Sequence, residues 1–450
     1  LIEQLIAQIQ EEYPEMNRKG AEEYLYNGGF VIYSTQVSSI QKVMEEEYNT
    51  GKFILSRVVN EKDNDGKDKK DENGKTIQKT ITTESSMVIV DHKTGQVVAT
   101  VGGFGQKTAR CLNRATQVPK QAGSSLKPLA VIAPSLQEGL ITAGTVIDDT
   151  PVRYGNWVPN NDTHNFWGLT TVRTIIRNSR NIPEIKMINT LTPKKSVEYL
   201  RQFGLKSVCE QDENAATALG GLTYGTTTLE MAAAYATIAN DGVYIEPTFY
   251  TRMEDANGNI VMKPNQETRT VISADNAYIL KSILREPVQS GTAVGLGVKV
   301  KGMDTCGKTG TTDANQRWFC GFTPYYAAAT WFGYDDQTVK LAMDTNRAGL
   351  LWGNVMRRVH SELNLEAKNF QRTGNITSAT ICNKSGLLAT DLCRTAGCAY
   401  SEEFVKGTTP TKSCETHVTA KVCGEDYGSY KLATENCPDA KEVVFITRPN

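Results

Sequence analysis

No apolar run in this chain approaches the eighteen or so residues that a membrane-crossing helix requires, so none is expected within its 450 residues, nor is a signal peptide. There is no basic excess either. Lys and Arg number 49 against 50 Asp and Glu, a net charge of −1, which argues against nucleic acid or another polyanion as partner. Histidine is scarce: His92, His164, His360 and His417 are scattered, none stands at triad spacing, and surface or packing roles are expected for each. Gly102-Gly103-Phe104-Gly105 and Gly295-Leu296-Gly297 lack the spacing or context of a dinucleotide-binding turn. No internal repeat is present.

What is present reads as an ordinary globular chain, 39% hydrophobic and 22% charged, long enough for two to three domains. It starts at Leu1 rather than Met, which suggests a processed or excised piece whose anchor lay upstream. Of ten cysteines, six fall between 382 and 437. An even, clustered set in a loop-rich tail favours disulfides and an oxidising location. The pair Cys414 and His417, spaced C-x-x-H, keeps zinc as the alternative beside it.

Leu1, Ile2, Leu5, Ile6 and Ile9 recur at helical spacing and predict an amphipathic helix at the start of residues 1–27. A strand is expected at Phe30–Thr35, then a helix carrying Val37, Ile40, Val43, Met44 and Tyr48. Residues 61–75 hold eleven charges and the turn formers Asp65-Gly66 and Asn73-Gly74, the pattern of a solvated hairpin or insertion. Ser86–Asp91 and Gln96–Val101 read as a hairpin, 124–240 as mostly helical with a helix over Thr227–Ala239, and 298–345 as strand-rich. The division expected is a linker at 1–83 with its charged insertion at 60–80, a main domain at 84–365, and a Cys-rich appendage at 366–450.

Three short motifs carry chemistry. Ser124-Ser125-Leu126-Lys127 is an S-x-x-K run behind Gly123, which puts Ser124 at a helix start and Lys127 one turn on, on the same face. A serine hydroxyl attacks only when a base takes its proton, and a lysine serves only when burial or a second cation lowers its pKa. Ser125 is the alternative nucleophile, but i, i+2 spacing turns it away from Lys127. Ser179-Arg180-Asn181 offers a hydroxyl and an amide, or simply a helix cap. Lys308-Thr309-Gly310-Thr311 is expected after a strand at Val298–Cys306 and before one at Trp318–Thr323. Its glycine would let a substrate lie against a strand edge, and its Lys and Thr side chains would bind a carboxylate.

In this order, S-x-x-K, S-x-N 55 residues after Ser124 and K-T-G a further 129 residues on, the set resembles the signature of active-site serine penicillin-recognising enzymes. The segments Gly28–Thr35, Thr94–Ala99, Asn113-Arg114-Ala115, Ala218–Gly221, Thr228–Ala232, Ser290–Ala293 and Trp318–Pro324 resemble the transpeptidase region of class A penicillin-binding proteins. Lys120-Gln121-Ala122 departs from that pattern, which more often has arginine first and proline third.

The resemblance implies an α/β fold of the α+β type, with a central antiparallel sheet flanked by helices and an all-helical subdomain. It implies a D,D-transpeptidase on the outer face of a bacterial membrane, anchored through a missing N-terminal segment that includes a glycosyltransferase domain. Peptidoglycan stem peptides ending in D-Ala-D-Ala and β-lactams would be its ligands, with no metal or organic cofactor. Ser124 would be the nucleophile and Lys127 its base. Ser179 would relay the proton, and Asn181 would hold a substrate carbonyl or the Lys127 amine. Lys308, Thr309 and Thr311, with Gly310 between them, would bind the terminal carboxylate, and the N–H groups of Ser124 and Thr311 would form the oxyanion hole. A D,D-carboxypeptidase or a β-lactam sensor is the alternative; a β-lactamase would need a deacylating carboxylate that is not evident after Asn181. A hairpin centred near residue 313 would face Cys306 with Cys320, within reach of a disulfide.

Overall fold

A computed structural model describes all residues except 106, 107, 109, 313–315, 342–344 and 448–450. Its centre is a five-stranded antiparallel sheet. The spatial order is Cys306–Thr312, Gln316–Phe322, Tyr326–Gly333, Glu84–Asp91 and Gln96–Val101, so strands from two distant parts of the chain meet in the middle. Alternation along each strand sends successive side chains into two different cores. Val88, Val90, Trp318, Cys320, Phe322, Ala327, Ala329 and Trp331 join one cluster with the helical residues of 122–284. Met87, Ile89, Phe319, Ala328 and Phe332 join the other, with the helices Ser38–Asn49 and Arg347–Glu362. Burial on both faces is why Met87–Val90 reads as an unbroken apolar run. These layers are the α/β arrangement expected from the sequence.

The helix Thr228–Ala239 lies against the first face and is buried nearly all round. Thr227 caps it reciprocally with Glu230: the Glu230 N–H donates to Thr227 Oγ1 (3.2 Å), and the Thr227 N–H donates to Glu230 Oε2 (2.8 Å). The N-terminal apolar stripe packs within the chain. Leu5, Ile6 and Ile9 of helix Ile2–Glu12, with Ala21 and Leu25 of helix Arg18–Asn27, cover Tyr250, Met253 and Met262 of a three-stranded sheet that includes Val31–Ser34. The charged segment is the far end of a hairpin between Ser56–Asn60 and Gln78–Thr82, and the Asp63 and Asp71 carboxylates each accept a backbone N–H four residues on.

Two sequence expectations fail near the third motif. The strand does not run over Val298–Cys306: it begins at Cys306 and extends to Thr312, so Lys308-Thr309-Gly310 lies inside it. Positive-φ glycines at 295, 297 and 302 break the preceding stretch into turns with irregular chain at 298–300. The hairpin register pairs Cys306 with Phe322 and Lys308 with Cys320, two residues further along the partner strand than expected; its turn, with residue 313, lies outside the described residues. Cys306 and Cys320 are buried free thiols, not a disulfide. Burial pushes the Cys306 thiol up to about 12, so it stays protonated.

In the C-terminal part, Ile376–Cys382 pairs with Ala399–Val405, and His417–Cys423 lies between Lys431–Leu432 and Lys441–Ile446. Cys423 and Cys437 form a disulfide, as favoured for the tail, whereas Cys382, Cys393, Cys398 and Cys414 are free. This part docks on the helical side through Arg173, whose guanidinium grips Glu402 at 2.6 and 2.7 Å and donates to the Ser282 carbonyl at 2.9 Å. Glu402 is only 1% exposed. Removing it in Glu402→Ala would leave the largely buried Arg173 with only the longer Glu286 contact (3.8 Å) for its charge, a loss of about 3 kcal/mol that a chemical-denaturation curve would read. Glu402→Gln, which keeps one acceptor, should lose less.

Candidate active site

The first motif sits on a short, tight start of a helix. Gly123–Leu126 is one 3-10 turn, and the chain continues through Pro128–Ile132 into Ala133–Gln137. The Lys127 N–H donates to the Ser124 carbonyl, which brings Lys127 back over Ser124. Ser124 is half-buried, and among the described residues its hydroxyl has no hydrogen-bond partner. Ser125 is fully buried, and its hydroxyl donates to the Ala122 carbonyl at 2.8 Å while its own carbonyl accepts from Tyr235. That commitment removes it as a nucleophile.

Glycines let this turn press against the sheet. Gly123 has φ +55°, and a Cβ there would lie 2.3 Å from the Thr311 carbonyl oxygen. A Cβ on Gly310 would meet the Ala122 carbonyl oxygen at 2.5 Å and Ser125 Oγ at 2.9 Å. The glycine of the third motif is therefore required by the Gly123–Leu126 turn packed against it.

The second motif joins two helices. Ser179 ends Val172–Asn178 in the left-handed region (φ +55°), and Asn181 precedes Ile182–Leu191. Asn181 makes no side-chain cap; its amide is used elsewhere. Lys127 Nζ donates to Asn181 Oδ1 (2.8 Å), the Ser179 carbonyl (2.9 Å) and the Arg180 carbonyl (3.0 Å). Asn181 Nδ2 donates in turn to the Asn160 carbonyl and Asp162 Oδ1. Of the two roles expected for Asn181, this structure has it on the Lys127 amine.

From the edge strand, Lys308 Nζ donates to Ser179 Oγ at 2.8 Å, and Lys127 Nζ lies 3.5 Å from the same oxygen. Ser179 thus stands between the two amines. Thr309 Oγ1 is 2.8 Å from Thr292 Oγ1, and Thr311 is exposed at the end of the strand. All three motifs therefore meet at one place on the edge strand of the sheet.

Both amines are fully buried. Burial lowers Lys127 from the ordinary 10.5 to about 8, against the pull of Glu184 and Asp162. Burial, and then the charge of Lys127, lowers Lys308 to about 7. Glu184 was not singled out from the sequence. It lies one turn beyond Asn181, is wholly buried, and neither carboxylate oxygen has a hydrogen-bond partner among the described residues. Burial raises it to about 7, and the two lysines oppose the rise. Its spacing, S-x-N-x-x-E, was the available signal.

The loop behind Asn181 is held by Arg180, which pairs with Asp149 at 2.7 Å, both nearly inaccessible, and stacks 4.3 Å over Trp167. Asn161 ties the same carboxylate (2.9 Å) to the Asn181 N–H (2.8 Å). At the departure from the family pattern, Lys120 is buried over the Trp331 ring (4.5 Å) and 3.5 Å from Asp335.

Comparison with known proteins agrees with this assembly. Residues 85–344 match the family described as penicillin binding protein transpeptidase domain, and residues 372–419 match the penicillin-binding protein 1A C-terminal domain. Penicillin-binding protein 1A of Clostridium botulinum is 31% identical over 99% of this chain and 53% of its own length. That of Clostridium acetobutylicum is 33% identical over 78% of this chain and 43% of its own. The chain thus spans about half the length of these relatives. Among solved structures, penicillin-binding protein 1A from Haemophilus influenzae superposes with a TM-score of 0.72 at 22% identity, covering 92% of this chain and 77% of that one. PonA1 from Mycobacterium tuberculosis in complex with penicillin V gives 0.64 at 22% identity, covering 82% and 94%. These two likenesses concern the fold. The transpeptidase match by itself takes in more than half of the sequence, Ser124 through Thr311 included, and the chain belongs to the penicillin-binding protein transpeptidase family.

Proposed function

We propose that this chain is a D,D-transpeptidase that cross-links peptidoglycan stem peptides through an acyl-Ser124 intermediate and is acylated there by β-lactams. The observation that carries the reading is the pair of buried amines, Lys127 and Lys308, on either side of the Ser179 hydroxyl. The division into a linker at 1–83, a transpeptidase domain at 84–365 and an appendage at 366–450 belongs to the same proposal, as does an extracytoplasmic location with an upstream anchor. No helix among the described residues is long and apolar enough to cross a membrane.

In this mechanism neutral Lys127 takes the Ser124 proton as the oxygen attacks the penultimate D-Ala carbonyl. The three oxygens already within 2.8–3.0 Å of its Nζ then receive the ammonium without rearrangement. The N–H groups of Ser124 and Thr311 hold the developing oxyanion. The substrate's terminal carboxylate, bound by Lys308, Thr309 and Thr311, favours the charged form of Lys308, and that cation in turn keeps Lys127 neutral. Ser179 passes the proton to the departing D-Ala amine. An amine from a second stem peptide then attacks the ester and restores Ser124. Glu184 is wholly buried, which disfavours it as the solvent-activating base that a β-lactamase would need for deacylation.

Intact-mass spectrometry after benzylpenicillin treatment tests the reading. The parent should gain one stable drug mass and Ser124→Ala none. Hydrolysed drug without an adduct would make the protein a β-lactamase, and intact drug without an adduct a non-reacting binder. Transfer of the acyl group to a D-amino acid, rather than to water alone, separates cross-linking from carboxypeptidation.

Acylation should also depend on pH in a defined direction. Because Lys127 must be neutral and burial brings it to about 8, the second-order rate constant should rise between about pH 6 and 8. Glu184 raises both amines, so Glu184→Gln should move that rising limb to lower pH. An unmoved limb would remove Glu184 from the cluster. Gly310→Ala should slow acylation by about 10²-fold or more, because its Cβ displaces the turn that carries Ser124.

A further inference from the structure

The C-terminal part has almost no apolar interior of its own. Its small cluster consists of Cys382, Cys393, Cys398 and Cys414 with Leu387, Ala389 and Ala399 packed around them. A unit of this size ordinarily needs disulfides or a metal to hold its shape. The four cysteines here are unbridged, whereas Cys423 and Cys437 further along are joined.

Three of the four surround one imidazole. Cys382 ends the strand Ile376–Cys382, Cys393 lies on the short helix Asp391–Thr395, Cys414 precedes the strand His417–Cys423, and His417 begins it. All four side chains are buried. His417 Nδ1 is 3.5 Å from each of the three Sγ atoms, and the four atoms lie within 4.8 Å of one another. One ring nitrogen makes one good hydrogen bond, not three equal ones. A tetrahedron with metal–sulfur bonds of about 2.3 Å and a metal–nitrogen bond of about 2.0–2.1 Å has nitrogen–sulfur edges of about 3.5–3.6 Å. The other ring nitrogen meets no partner among the described residues, so the Nδ1 side alone orients the imidazole.

We propose that Cys382, Cys393, Cys414 and His417 bind one structural Zn²⁺. Three soft sulfurs and one imidazole in a closed tetrahedron select zinc over the harder cations. On binding, the three thiols release their protons to solvent, and no electron transfer is involved. Outer partners for the thiolates are in position. The Lys384 N–H donates to Cys382 Sγ at 3.3 Å, and Thr390 Oγ1 lies 3.3 Å from Cys393 Sγ. Cys398 stands outside the tetrad, with its Sγ directed at the Ala396 carbonyl (3.5 Å). The turn after Cys382 passes through Gly386, where a Cβ would lie 2.7 Å from the Gly144 carbonyl oxygen. The ion therefore fixes a turn that is pressed against the transpeptidase domain.

The test uses the full chain purified without chelator. Elemental analysis should find one zinc per chain, and Cys393→Ser and His417→Ala should each reduce it to background while a cooperative thermal transition reports that the rest of the chain is folded. Exchange with Co²⁺ should give the visible absorption of a tetrahedral cobalt site with thiolate charge transfer. Cys398→Ser should keep the zinc. Alkylation and peptide mapping that find Cys382, Cys393 or Cys414 in disulfides in the native chain would overturn the proposal. So would reduced thiols that take up no metal from excess zinc.

Discussion

Everything in the catalytic region follows from placing two lysine amines out of water within reach of one serine hydroxyl. Burying an amine without compensation is expensive, and two close together repel. Lys127 is made tolerable by three oxygens from the Ser179–Asn181 segment, and Lys308 by Ser179 Oγ and the Thr309 carbonyl. Those acceptors must not move. The segment that supplies them is therefore clamped from behind by the Arg180–Asp149 pair and by Asn161, which bonds the clamp and the Asn181 backbone together. Glu184 and Asp162 add negative charge near the amines without neutralising them. Lys127, Lys308 and Glu184 are thereby brought toward neutrality, which is what a general base for a serine requires.

Close backbone packing is the second half of the device. Gly123 meets Thr311, Gly310 meets Ala122, and a Cβ on Gly220 would lie 2.0 Å from the Gly123 carbonyl oxygen. Three glycines from three parts of the chain thus allow the Ser124 turn, the edge strand and the loop after Ala215–Leu219 to touch largely through main chain. Main-chain contacts have no rotamers to relax, so they transmit position more faithfully than side-chain contacts would.

How much of this could be read from the sequence depends on whether the signal was local. Strands at 84–101, the capped helix at 228–239 and the charged hairpin at 56–82 follow from periodicity and turn residues, and the structure has them close to where they were expected. The three motifs were legible by residue type and order, and they meet. What was misread involved partners distant in sequence. The extent of the Cys306–Thr312 strand and its register with Gln316–Phe322 depend on glycine turns before it and on a hairpin turn whose length sequence alone did not give. Glu184 looked like one more helical glutamate, because its isolation from solvent is a tertiary fact. The C-x-x-H pair at Cys414 and His417 was weighed against disulfides, but only the fold brings Cys382 and Cys393 to the same nitrogen.

The edge strand reconciles two demands that otherwise conflict. An open edge invites pairing with any extended peptide, which suits a substrate but also invites aggregation. Sheets limit that hazard with short edges and with charged side chains that point inward. The strand Cys306–Thr312 is seven residues long, and Lys308 points inward, fully buried against Ser179. A foreign strand that pairs here gains backbone hydrogen bonds but leaves the Lys308 charge in the cleft unanswered. On the proposed function, a peptide that ends in a carboxylate would supply the missing charge as it adds to the edge. The residue that guards the strand is thus the same one that would select its ligand, and discrimination follows from the electrostatics of one buried amine.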